Sequence, residues 1–152
     1  MDYYTRTLEP QTYVYVDRDC AFEAGAIAAA MGSGIREVLE AVSRADLAVM
    51  SPPMAIYESM EPERLRFRVG VLITPEHAGR SPLRVGELPG GEAVHTVHTG
   101  PYATLNATHR ALDEALAADG HPHGWPVWEV YVDDPSETPE AELRTEIWRS
   151  LG

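Results

Sequence analysis

Apolar residues along this chain alternate in some stretches and recur every three or four positions in others, and the two patterns occur twice in the same order. Starting from Gln11, Thr12-Tyr13-Val14-Tyr15-Val16 is β-branched or aromatic throughout and reads as a strand. Residues 22–45 are Ala-rich and carry Ile27, Met31, Ile35, Val38, Leu39 and Val42 at helical spacing. Gly32-Ser33-Gly34 interrupts them, either as a kink or as the true start of the ordered helix. After the Ser51-Pro52-Pro53 breaker, residues 54–59 read as a strand and Glu61-Pro62-Glu63 as a turn. Residues 64–74 then alternate cleanly, with Leu65, Phe67, Val69, Val71 and Ile73 on one face and Arg64, Arg66 and Arg68 on the other.

Residues 75–91 are rich in Gly and Pro and read as a connector with a little extended structure around 84–87. The order then restarts. Residues 93–99 form a strand, and Gly100-Pro101-Tyr102 opens a helix that runs to about Asp119. Leu105, His109, Leu112 and Leu116 lie on one stripe of it, and Gly120 ends it. Residues 127–133 and 143–151 are the last two strands. Laid over one another, the halves put Tyr57 on Tyr131, Ala55 on Glu129 and Leu65 on Leu143. The expectation is one α+β domain over residues 1–152, with a strand-helix-strand-strand unit at about 11–74, a connector at about 75–91 and a second unit at about 92–151. Joined edge to edge, the two units would form a curved antiparallel sheet. Both helices would cover one face, and a ligand groove would lie on the other near the pseudo-twofold axis.

Charge narrows the partners. There are 24 acids against 12 bases, all Arg, for a net of −12. Such a surface argues against direct nucleic-acid contact and provides a long-range field favourable to cations. No apolar run approaches the length needed to cross a bilayer, and the N-terminus has no signal-like core, so the expected location is the cytoplasm. One cysteine, Cys20, supplies neither an internal disulfide nor a structural zinc site. His95 and His98 point to opposite sides of a strand, and His121 and His123 sit in a Pro/Gly loop, so no metal and no cofactor are expected.

The second half contains His98-Thr99-Gly100-Pro101-Tyr102, then Glu129-Val130-Tyr131-Val132-Asp133-Asp134-Pro135, then Thr138-Pro139 followed by Leu143, Thr145 and Ile147. With Pro52-Pro53 and Leu88-Pro89-Gly90-Gly91 earlier in the chain, these runs resemble the GyrI-like domains, the effector-binding domains of AraC- and MerR-type regulators. The resemblance covers roughly residues 11–151. It implies a groove for flat or bulky hydrophobic molecules, often cationic, with a buried acid that carries over to Glu129. Some relatives use that acid with a Tyr for hydrolysis, some inhibit gyrase, and some regulate transcription through an attached helix-turn-helix. Only about ten residues precede the first expected strand here, too few for a DNA reader.

Glu129 lies between Trp128 and Val130 in an apolar strand, where a carboxylate needs a partner or a shifted pKa. The competing reading is a solvent-facing glutamate. Alternation puts Tyr131 on the same face as Glu129, and Tyr57 holds the matching place in the first unit. Core packing is the ordinary role for both tyrosines, while Tyr102 reads equally as a helix-start packing residue or as a hydroxyl reaching into the groove. Trp128 and Trp148 offer surfaces for stacking a flat ligand, although a one-residue slip would turn either to the other face. The expected ligand-binding set is therefore Glu129, Tyr57, Tyr131, Tyr102, Trp148 and Trp128. The expected function is binding of small hydrophobic or cationic molecules, as a multidrug receptor or sequestering protein. The alternatives are a hydrolase using Glu129 and Tyr102 (or Tyr57), and a protein-interaction module with a protein partner.

Overall fold

The computed structural model of the protein describes residues 1–61 and 63–151. The expected turn at Glu61-Pro62-Glu63 includes Pro62, which lies outside the described residues. Eight strands form one antiparallel sheet: β1 (Tyr4–Leu8), β2 (Gln11–Cys20), β3 (Met54–Tyr57), β4 (Leu65–Leu72), β5 (Arg84–Leu88), β6 (Gly91–Thr99), β7 (Val127–Tyr131) and β8 (Arg144–Ser150). Their spatial order is β1-β6-β8-β7-β3-β4-β2-β5. Helix α1 (Ala24–Arg44) joins β2 to β3 and helix α2 (Leu105–Ala118) joins β6 to β7. The α+β class is as the pattern of elements implies.

The register shows the repeat directly. In the central pair of strands, Ala55 of β3 faces Glu129 of β7. Outward from there, Ala55 faces Val69 and Glu129 faces Ile147. One strand further out, Val69 faces Val16 and Ile147 faces Thr96. The pseudo-twofold axis therefore passes between Ala55 and Glu129.

The outermost strands are exchanged. β1 precedes the first unit but pairs with β6 of the second, while β5 pairs with β2 of the first. β1 is one edge of the sheet and β2 lies next to the other, yet only Glu9 and Pro10 separate them in the chain. Three residue steps reach roughly 10 Å, so the sheet must curl until its two edges approach. The second two-residue link, Pro89-Gly90, crosses at the same place: a Cβ on Gly90 would stand 2.8 Å from Pro10 Cδ. Strand β1 has no counterpart among the expected elements. Its Tyr-Thr-Arg-Thr-Leu run is exposed along most of its length and lacks an apolar face.

Curling gives the sheet two differently filled faces. On the outer face α1 packs on β2, β3 and β4 through Val38, Val42, Val14, Val16 and Val69. On the same face α2 packs on β6 and β8 through Leu112, Leu116, Val94 and Ile147. The inner face encloses Tyr13, Tyr15, Met54, Ile56, Leu88, Ala93, Trp128 and Val130 without any helix.

Helix α1 is continuous through Gly32-Ser33-Gly34. Gly34 is a packing residue, since a Cβ there would meet Val69 Cγ2 at 2.8 Å, whereas Gly32 faces open space. Leu39 falls off the expected stripe and is exposed. Gly32→Ala is therefore expected to stabilise the protein by about 1 kcal/mol through helix propensity. Gly34→Leu, at a site with no room for a side chain, is expected to destabilise it by about 1–3 kcal/mol. Urea unfolding of the two variants should give changes of opposite sign.

Candidate functional site

Strand β7 carries Trp128, Glu129, Val130 and Tyr131, and the pleat sends them alternately to the two faces. Trp128 and Val130 enter the inner core. Glu129 and Tyr131 point to the helix-bearing face, beside the axis and opposite the small side chain of Ala55. Glu129 is 5% exposed, so water does not solvate its carboxylate. Both oxygens are instead held by the protein. The Tyr131 hydroxyl donates to Oε1 at 2.6 Å, and Nε2 of His109 on α2 lies 2.6 Å from Oε2.

Tyrosines surround this acid. Tyr57 packs against Phe67 with ring centroids 5.7 Å apart, and Tyr102 and Tyr131 meet edge to face with centroids 5.5 Å apart. Burial holds the Tyr57 and Tyr131 phenols well above the ordinary tyrosine range, and the nearby Glu129 charge pushes both in the same direction. Tyr102, in a 3-10 turn (Tyr102–Thr104) ahead of α2, is raised by burial and then by Asp133 and Asp134. Its outer side borders a surface depression of about 320 Å³ lined also by Pro135, Thr138, Glu140 and Leu143. The Gly100-Pro101 entry gives this turn its direction: Gly100 has φ +132, a conformation L side chains rarely adopt.

Of the six residues expected to make the site, four come together: Glu129, Tyr131, Tyr57 and Tyr102. Trp128 and Trp148 do not join them. They stack on each other inside the curled sheet, centroids 5.9 Å apart and planes 4° from parallel. His95 continues that stack on Trp148 at 4.3 Å. The groove expected on the helix-free face therefore does not contain Glu129. That face is packed with its own aromatic side chains, and the acid belongs to the face where the helices sit.

His109 was read from the sequence only as part of an apolar helical stripe. A histidine at a stripe position was the available signal, and its partner could not be identified before β7 was placed. A second polar group on this face is Thr145, directly opposite Tyr131 on β8. Its hydroxyl is buried and has no hydrogen-bond partner among the described residues. His98 is engaged locally, with Thr108 at 2.7 Å and Thr104 at 3.0 Å.

A curled eight-stranded sheet with two helices on one face, duplicated about an axis marked by a buried carboxylate, defines a particular class of ligand-binding module. The chain belongs to the GyrI-like small molecule binding domain family, whose model matches residues 1–151. Among solved structures, the C-terminal domain of EcmrR is similar with a TM-score of 0.80 and 16% identity, over 97% of this chain and 95% of that one. In the DNA complex of EcmrR the match spans 56% of the EcmrR chain. SAV2435 bound to tetraphenylphosphonium is similar with a TM-score of 0.69 and 14% identity, over 98% and 93% of the two chains. A hydrolase from Listeria innocua gives 0.58 and 13%, over 97% and 90%. These likenesses show a shared fold. No curated protein matches the chain in sequence. Among the described residues no helix is long and apolar enough to cross a membrane.

Removing the Tyr131 hydroxyl strips a donor from a buried carboxylate oxygen. Tyr131→Phe is therefore expected to cost about 1–3 kcal/mol in urea unfolding near neutral pH. The same variant tests the raised phenol. A tyrosine protonated in the fold but free to ionise near pH 10 when unfolded contributes full stability below about pH 10 and loses it as pH rises further. Stability measured between about pH 9 and about pH 11 should fall less steeply in Tyr131→Phe than in the wild type, by up to about 1.4 kcal/mol per pH unit.

Proposed function

We propose that this chain binds hydrophobic cations on its helix-bearing face, with the ligand's charge against Glu129 and the rings of Tyr57, Tyr131 and Tyr102 around it. The observation that carries the reading is a carboxylate, almost fully buried at the axis, with tyrosines on the same face. Away from water, a carboxylate attracts a cation far more strongly than at the surface, and aromatic faces add to that attraction. The net charge of −12 draws cations toward the protein before contact. A family defined by small-molecule binding supports the reading, as does the tetraphenylphosphonium bound to SAV2435. Rings and one charge fix no single ligand shape, so the site suits several related molecules, as a multidrug receptor or sequestering protein does.

Glu129 is buried and already hydrogen-bonded on both oxygens. Entry of a cation therefore replaces an existing contact and does not fill an open cleft. The 3-10 turn at Tyr102–Thr104 and the start of α2 border the acid from the Tyr102 side, and movement there would admit a ligand from the adjoining depression.

A second reading rests on the same acid. Glu129 beside phenols that stay protonated could activate water against a reactive electrophile while Tyr102 or Tyr57 gives a proton to the leaving atom. Binding alone returns the ligand unchanged, so the mass of recovered ligand separates the two readings.

Tetraphenylphosphonium is expected to raise the melting temperature of the wild type by mass action. Glu129→Gln keeps the shape and removes the charge, and is expected to weaken binding at least tenfold, which is about 1.4 kcal/mol. Trp148→Phe, on the inner face, is expected to leave the dissociation constant within about twofold of wild type. Equal binding by wild type and Glu129→Gln would remove the basis of the reading.

A further inference from the structure

The helices sit on the sheet in different ways although the repeat makes them equivalent. Helix α1 rests on an apolar seat, with Gly34 against Val69 and Val38 and Val42 buried beside it. Helix α2 buries Leu112 and Leu116 fully, with Leu105 packed partly buried against the same cluster. One turn before Leu112 and on the same stripe, its contact with the sheet is the pair His109–Glu129, 2.6 Å between Nε2 and Oε2. No such pair exists in the first unit at the axis, because Ala55 stands where Glu129 does in the second. The acid that would receive a ligand's charge thus already holds a group that becomes a cation on gaining one proton.

We infer that His109 is the internal competitor for the cation slot of Glu129 and makes ligand binding an exchange of a cation for a proton. This rests on the reading that cations bind at Glu129. When His109 is protonated, the imidazolium satisfies Oε2, and an incoming cation must displace it and tolerate its charge. When His109 loses its proton, the carboxylate is left with an uncompensated charge and the ligand takes that place. The proton leaves His109 for solvent and no bond in the ligand changes. Affinity for cations therefore rises as the imidazolium is lost and then levels off, and a neutral ligand of the same shape lacks the effect.

Other ionisable groups on this face do not supply the same switch. Tyr131 and Tyr57 are held protonated by burial, and Tyr102 is raised in the same direction. Asp113, one turn further along α2, is closed on Arg149 of β8. His98 of β6 is tied to Thr108 and Thr104. Of these groups, His109 is the one that both contacts the Glu129 carboxylate and becomes a cation on protonation.

The test is titration calorimetry of the whole chain with tetraphenylphosphonium from about pH 5.5 to about pH 8.5, in buffers of different ionisation enthalpy. The expected result is a dissociation constant that falls up to tenfold per pH unit on the acid side and then flattens. On the acid side, where the dissociation constant changes most steeply, the enthalpy should depend on the buffer in the sense of proton release, approaching one proton per ligand. His109→Gln keeps a hydrogen-bond donor near Oε2 without a titrating charge, and should bind with a flat pH profile and no proton release. The imidazole carbon and nitrogen shifts of His109 in the wild type are an independent readout: where the free protein carries the imidazolium, the ligand should convert the ring to its neutral form. Tight binding by the wild type with buffer-independent enthalpy would overturn the exchange and leave the cation site standing, as would an imidazolium retained in the complex. Failure of the probe to bind at about pH 8.5 in both proteins would overturn the cation site and the exchange together.

Discussion

A carboxylate in the middle of an eight-stranded sheet constrains everything around it. Glu129 needs partners there, because an unpaired buried charge is among the costliest groups a fold can hold. Its two oxygens are satisfied from two elements: Tyr131 on the same strand, and His109 on the helix above. The second contact ties α2 to the sheet at a point where apolar packing is thin. The acid is thus both a structural joint and a buried charge beside the axis, and a group in that position couples ligand entry to the seating of a helix.

Duplication explains why there is one such acid. The central strands pair across the axis so that equivalent positions, Ala55 and Glu129, face each other. Two acids there would repel at close range, and two large side chains would leave no room. A small residue opposite an acid is the asymmetric solution, and it carries through to the helices, one seated on Gly34 and valines, the other partly on a charge. The exchange of β1 and β5 between the units adds a further constraint: it curls the sheet into an enclosed inner core and leaves the outer face to the helices and the site.

Much of this was legible in the chain. Clean alternation in Leu65–Leu72 and the Ala-rich stripe of α1 identified their elements, and the overlay of Ala55 on Glu129 and Leu65 on Leu143 agrees with the observed register. Period-two alternation put Glu129 and Tyr131 on one face correctly. Deciding which face carried the helices needed tertiary information, so the tryptophans were grouped with the acid although Trp128, adjacent to it, must point the other way. β1 escaped notice because an exposed edge strand needs no apolar face. His109 was visible as a histidine in a leucine stripe, but pairing it with a residue twenty positions away required the angle of α2 across β7.

The most direct measurement is a crystal structure of the protein with tetraphenylphosphonium at alkaline pH. The account predicts the phosphonium on the helix-bearing face, its rings against Tyr57, Tyr131 or Tyr102, with Glu129 as the nearest carboxylate and His109 displaced from it. A cation lodged against Trp128 and Trp148 inside the sheet, or bound elsewhere with the His109–Glu129 contact intact, would contradict it.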